Sequence, residues 1–147
     1  MRVLYDTSIL VAALVDAHPR HRTAWPFLRR AHAKEVDLQV ATHSLAESYA
    51  VLTRLPIQPR ILPETAADLI RRGVVEVANL VSLDAEDYRQ VVHDMAEIGL
   101  SGGVVYDGLI ARVAQKVEVD LLVTFNPRDF RRVWPDGAER ILDPSEE

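Results

Sequence analysis

The first ten residues, Met1-Arg-Val-Leu-Tyr-Asp-Thr-Ser-Ile-Leu10, constrain the rest of the chain most. Val3, Leu4 and Tyr5 form an apolar run too short for a helix, and Asp6-Thr7-Ser8 stops it. A short apolar run ended by a polar cluster reads as a buried strand. The residues from Ile9 to Val15 suit a helix, and Asp6, Thr7 or Ser8 is able to cap it. The spacing predicts a strand over residues 2–5, a tight turn and a helix over 8–15. Asp6 then stands at the carboxyl end of a strand, where open parallel α/β sheets place their ligands.

The same alternation recurs along the chain. After a polar joint at 16–22, Pro19 opens a helix to about Lys34, with a kink at Pro26. A short strand at 38–41 leads into a helix that starts at Thr42 or Ser44, ends near Arg54 and carries the stripe Leu45, Tyr49, Leu52. Prolines at 56, 59 and 63 mark a loop. A helix over 63–72 follows, with Ala66, Leu69 and Ile70 inward and Gly73 as its stop. A third strand falls at 80–83, and Asp84 caps a helix to about Ile98 with the stripe Tyr88, Val91, Val92, Met95. A glycine-rich loop at 99–103 precedes a helix over 104–117 that turns Leu109, Ile110, Val113 and Val117 inward. A fourth strand at 121–124, a short helix from Asn126-Pro127 to Val133 and an edge strand at 140–142 complete the domain. Strands alternating with helices specify an α/β fold, a parallel sheet wrapped by helices. One domain over residues 1–143 is expected, with 144–147 as a frayed tail.

Composition narrows the function. The chain has no Cys, which excludes disulfides, thiolate zinc sites and Cys nucleophiles and fits a reducing compartment. No secretory signal or membrane span is visible, so a cytoplasmic location is expected. The net charge of −5 does not suit binding of nucleic acid by bulk charge. All but two of the 17 bases are Arg. Arg suits bidentate phosphate contacts, although codon bias explains most of the excess.

Four acidic positions carry the chemistry, and each has a plainer explanation. Asp6 alone reads as a helix cap. Glu47 completes a capping-box pattern with Ser44, but is free to point elsewhere if the helix starts earlier. Asp107 shares a helix face with Ile110, Ala111 and Ala114, where a buried carboxylate must be paired, protonated or bound to metal; favourable placement near a helix N-terminus is the plainer account. Asn126-Pro127-Arg128-Asp129 is a good helix start in itself. The plain readings do not explain why three of the four positions lie at strand-to-helix junctions, or in the helix just before one, that open on one edge of the sheet. Clustered carboxylates raise one another's pKa, and a hard divalent cation relieves that. Mg²⁺ or Mn²⁺ is therefore the expected cofactor, able to activate water and stabilise phosphoryl charge.

Asp6-Thr-Ser, Leu45-Ala-Glu47-Ser-Tyr-Ala-Val-Leu-Thr-Arg-Leu-Pro56, Gly103-Val-Val-Tyr-Asp107-Gly-Leu-Ile-Ala and Leu122-Val-Thr-Phe-Asn-Pro-Arg-Asp-Phe130 together resemble the PIN-domain ribonucleases, most closely the VapC toxins of prokaryotic toxin–antitoxin pairs. No single motif is specific; four in this order are. The resemblance implies a three-layer α/β/α fold with a mostly parallel sheet of four to five strands. It implies a Mg²⁺- or Mn²⁺-dependent endoribonuclease whose acids fall on Asp6, Glu47, Asp107 and the segment 126–129. Many relatives have an acid where Asn126 stands, which leaves Asn126 and Asp129 as alternatives for the fourth position. Ser8 matches a hydroxyl near the metal. A homodimer and a small inhibiting antitoxin are implied as partners, with RNA as substrate.

On this reading Asp6 and Asp107 hold the metal, and Glu47 holds it through water or positions the attacking water. Arg54, Arg128, Arg131 and Arg132 are candidates for phosphate contacts, against the plainer reading of a solvated face. The cap of the first helix passes to Thr7 or Ser8, which leaves Asp6 to the metal. Two other functions fit the same residues: a housekeeping PIN nuclease without an antitoxin, and a binding module that has lost catalysis.

Overall fold

The computed structural model describes residues 1–146. The first strand, β1 (Arg2–Tyr5), is the middle of a five-stranded sheet with β2 (Asp37–Ala41), β3 (Asn79–Val81), β4 (Leu121–Val123) and β5 (Ile141–Leu142) in the order β3-β2-β1-β4-β5. Every pairing is parallel. A central strand of a parallel sheet is covered on both faces, and the two-residue period of β1 shows it. Val3 and Tyr5 enter one core with Ile9, Leu10 and Leu28; Leu4 enters the other with Ile110, Val113, Phe130 and Trp134.

The helices divide accordingly. On the first face lie α1 (Thr7–Leu14) and α2 (His21–His32), with α3 (Thr42–Arg54) and α4 (Pro63–Ile70) beyond them; α5 (Ala85–Ile98), α6 (Val104–Lys116) and α7 (Pro127–Val133) cover the second. The result is the expected three-layer α/β/α PIN-like fold. Among the described residues no helix is long and apolar enough to cross a membrane.

Several elements differ from expectation for identifiable reasons. The second helix starts at His21, because two tight turns intervene: His18 N–H donates to the Val15 carbonyl and His21 N–H to that of His18, each at 3.0 Å. It passes through Pro26 unbroken. Gly73 does not end α4; the chain continues as a π-helical turn, Arg71–Val75. A Cβ on Gly73 would collide with Leu14, so the glycine lets this turn close on α1. Strand β3 lies one to two residues early, and Leu83 packs at the second core instead. Before β5 a 3₁₀ segment, Pro135–Arg140, folds under Trp134. Where the sequence suggests a frayed tail, Pro144–Glu146 form a 3₁₀ turn with Pro144 buried. Glu147, the end of that tail, lies outside the described residues.

Candidate functional site

The order of the sheet reverses beside β1: β2 and β3 extend it one way, β4 and β5 the other. The carboxyl ends of β1 and β4 are therefore the topological switch point, where open α/β sheets leave a crevice. Asp6 leaves β1 there, with its N–H donating to the Val123 carbonyl at 3.2 Å. Thr124, Phe125 and Asn126 leave β4 beside it.

Asp6 is buried, at 2% exposure. Its Oδ1 accepts from Ser8 Oγ at 2.6 Å and from the Ile9 N–H at 3.2 Å; its Oδ2 accepts from Thr124 Oγ1 at 2.7 Å. The bond from Ile9 makes Asp6 the N-cap of α1. This corrects the expectation that Thr7 or Ser8 takes the cap. Thr7 instead donates from Oγ1 to Ser44 Oγ at 3.1 Å, and Ser8 serves the carboxylate. Capping does not turn Asp6 away from the other acids. It lines a cavity of about 370 Å³ together with Ser8, Glu47, Asp107 and Asn126.

The capping box at Ser44 and Glu47 does not form, because α3 already starts at Thr42 with Ala41 as its N-cap. Ser44 is buried against Thr7, and Glu47, one turn into the helix, faces the cavity. Its Oε2 lies 3.7 Å from His43 Nε2, and the His43 ring stacks on Tyr106 at 4.9 Å between centroids. Tyr106 directly precedes Asp107, so α3 and α6 meet where they present their acids.

Asp107 lies in the first turn of α6, above the buried Ile110, Ala111 and Ala114. Burial, followed by repulsion from Asp6, Asp129 and Glu47, pushes its carboxyl up to about 7. Burial likewise raises Asp6 to about 6, against the lowering effect of the bonds from Ser8, Thr124 and Ile9. Neither carboxylate enters a salt bridge among the described residues. A third aspartate shows what a cation would do: Asp87 has Lys116 at 2.9 Å and Arg112 at 3.0 Å, and is held well below the usual carboxylate range.

The remaining expected site residues divide. Asn126 lines the cavity, exposed, and its side chain does not cap α7. Asp129 is outside the cavity lining and 3.3 Å from Arg132, although near enough to raise Asp107. Arg54, Arg128, Arg131 and Arg132 do not line the cavity. Arg20, which does, was not expected, nor were His18, Phe125 or the bonding role of Thr124. Arg20 and His18 sit in a polar joint that carries no motif.

The donor set is oxygen-rich and partly buried, and Asp6 and Asp107 pair with no cation among the described residues, which suits a hard divalent cation. Among the described residues no three His, Cys, Asp or Glu side chains converge closely enough to cage an ion. Mg²⁺ is usually held by one or two carboxylates and keeps its waters, so it does not require such a cage.

The chain is similar to known proteins in sequence and in fold. The model of the PIN domain matches residues 3–134. Ribonuclease VapC40 of Mycobacterium tuberculosis (strain ATCC 25618 / H37Rv) is 34% identical over 128 residues, 87% of this chain and 87% of that protein. Ribonuclease VapC27 of the same strain is 35% identical over 118 residues, 79% of each. The crystal structure of M. tuberculosis VapC20, a Sarcin-Ricin loop cleaving toxin, superimposes with a TM-score of 0.65 at 18% identity, covering 82% of this chain and 86% of that one. At that identity the likeness is one of fold.

Proposed function

The chain belongs to the PIN-domain family, and from that premise we propose that it is a metal-dependent endoribonuclease, the toxin of a toxin–antitoxin pair. Its similarity to two VapC ribonucleases over most of their length supports the class of reaction. The observation that carries the site is that Asp6, Glu47 and Asp107, from three separate elements, line one cavity, and that no cation among the described residues pairs with Asp6 or Asp107. Such a cluster costs stability unless a ligand offsets it.

Asp6 and Asp107 would hold Mg²⁺ or Mn²⁺, which when bound polarises water and offsets charge at a phosphodiester. Glu47, which lines the same cavity, would orient the attacking water and accept its proton. Ser8 and Thr124 fix the Asp6 carboxylate by donating to its two oxygens. Asn126 completes the polar wall at the mouth of the crevice, and Asp129 acts on Asp107 through its charge. Hydrolysis in this arrangement leaves a 5′-phosphate and a 3′-hydroxyl. A homodimer, a small cognate antitoxin that covers the site, and a cytoplasmic setting in which RNA and Mg²⁺ are at hand belong to the same reading.

The test is RNA cleavage by protein purified free of any inhibitor, with Mg²⁺ or Mn²⁺ added. Asp6→Asn and Asp107→Asn should each reduce the rate at least about 100-fold, the upper end of what loss of even an outer-shell metal partner costs. Wild-type protein that cuts no RNA, or two variants that cut normally, would overturn the reading.

A further inference from the structure

The cavity that gathers the acids also contains a cation that the ribonuclease reading leaves without a role. Arg20 lines it between the turn at His18 and the end of β4. Its Cζ lies 4.6 Å from the centroid of the Phe125 ring. Among the described residues its guanidinium forms neither a salt bridge nor a hydrogen bond, although three carboxylates line the same cavity. An arginine present only to offset those acids would pair with one of them, as Arg112 does with Asp87.

Arg20 is instead held from behind. Its backbone N–H donates to His18 Nδ1 at 3.0 Å, and it is the N-cap residue of α2. The Phe125 ring under it is buried, and the Phe125 N–H donates to Ser8 Oγ at 3.1 Å. Ser8 is the hydroxyl that binds Asp6, so the platform for the cation and the central carboxylate share one anchor. A guanidinium held over an aromatic ring commits none of its five N–H donors. Arg20 is exposed, so those donors are open to an acceptor that enters the cavity from solvent, and a phosphate group matches the planar fork of the guanidinium.

We infer that Arg20, stacked on Phe125, is the phosphate-binding residue of this cavity and grips a non-bridging oxygen of the RNA backbone. The inference rests on the ribonuclease reading and names the substrate contact of that site. The role is one of binding and register, with no bond made or broken. Because every nucleotide carries the same phosphate, the contact adds affinity and leaves the choice of sequence to other residues.

The experiment measures equilibrium binding of a short fluorescein-labelled single-stranded RNA of mixed sequence by anisotropy. It is done without divalent ions, in an Asp107→Asn background, across a range of KCl concentrations. Arg20→Ala is expected to weaken binding about 10-fold, as the loss of one charge-assisted hydrogen bond does. The slope of log K against log salt should become shallower by about 0.7, one phosphate contact on a single strand. Arg20→Lys should restore the slope and part of the affinity, with the thermal midpoint unchanged in both variants. An Arg20→Ala protein with the same affinity and slope overturns the inference. So does one that binds more weakly and melts earlier with its slope intact, because that is a packing role. If wild-type protein cuts RNA and Arg20→Ala binds like its parent, only this inference falls; if wild-type protein neither binds nor cuts RNA, the ribonuclease reading falls with it.

Discussion

Thr124 Oγ1 donates a 2.7 Å hydrogen bond to Oδ2 of Asp6, joining the ends of two neighbouring parallel strands through a buried carboxylate. The same hydroxyl accepts from the Asn126 N–H at 2.9 Å and so shapes the loop that carries Asn126 to the cavity. Thr124→Val keeps the volume and removes both bonds. A lost hydrogen bond to a buried charge costs about 1–3 kcal/mol. Because Asp6 is raised to about 6, that cost should appear fully at pH 8 and shrink at pH 5, where the carboxyl is protonated. Urea denaturation at the two pH values measures it; an equal loss at both would assign the effect to the Asn126 loop alone.

The acids of the cavity should give the metal-free protein an inverted pH dependence over part of the range. Asp6 and Asp107 have folded values of about 6 and about 7, above the ordinary 3.8 of an unfolded chain. The folded state therefore binds more protons than the unfolded state, and stability falls as pH rises from about 4 to about 7. Asp87 has the opposite sign: its carboxyl is depressed, first by the bond from Lys116, and the stability it confers is lost as the pH falls below the usual carboxylate range. Thermal midpoints in EDTA should therefore peak on the acid side of neutrality. Asp107→Asn should flatten the decline towards pH 8 and raise the midpoint there. A midpoint that climbs steadily from pH 5 to pH 8 in wild-type protein would contradict this.

The strands were legible because each is a short apolar run bounded by polar residues, and β1 matches its expected span, residues 2–5. Asp6 stood out by its position at a strand end, and the cavity it lines also takes in Glu47 and Asp107 from two helices. What the chain hid were partnerships between distant segments. The apolar stripe that periodicity predicts for α5 is Tyr88, Val91, Val92 and Met95, but Tyr88 and Val92 are 45% and 59% exposed, while Asp87 is buried. Asp87 turns inward because Arg112 and Lys116 of α6 meet it, and nothing local announces them. Likewise α3 buries Ser44 and Ser48 and exposes Tyr49, a pattern that binary hydrophobicity inverts. Thr7 gives Ser44 a partner from another helix. Nothing local marks Arg20 either, because its ring, Phe125, lies at the far end of the chain.

Gly137 tests the packing around the last strand. It is buried in the 3₁₀ segment before β5, and a Cβ there would fall on the indole of Trp134. Trp134 is itself buried in the second core with Ile110, Val113 and Ile141. Gly137→Ala should cost about 1–3 kcal/mol, the usual range for overpacking. Denaturant unfolding should show a lower midpoint at an unchanged slope. An unchanged midpoint would mean that the indole is not held where the structure places it.

Divalent metal should act on stability before it acts on any RNA. A ligand that binds only the folded state stabilises it by about 2.7 kcal/mol at 100 times its dissociation constant. Mg²⁺ or Mn²⁺ binding at Asp6 and Asp107 also requires both carboxyls to be deprotonated. The upward shift in thermal midpoint should therefore be large at pH 8, where repulsion among Asp6, Glu47 and Asp107 is greatest, and small at pH 5. The double variant Asp6→Asn/Asp107→Asn should lose the shift at both pH values while melting at or above the metal-free wild type at pH 8. Thermal scans with Mg²⁺, Mn²⁺ and EDTA decide the matter without a substrate. An equal shift in wild type and double variant would place the ion elsewhere on the molecule, and no shift in either would remove Asp6 and Asp107 as its ligands.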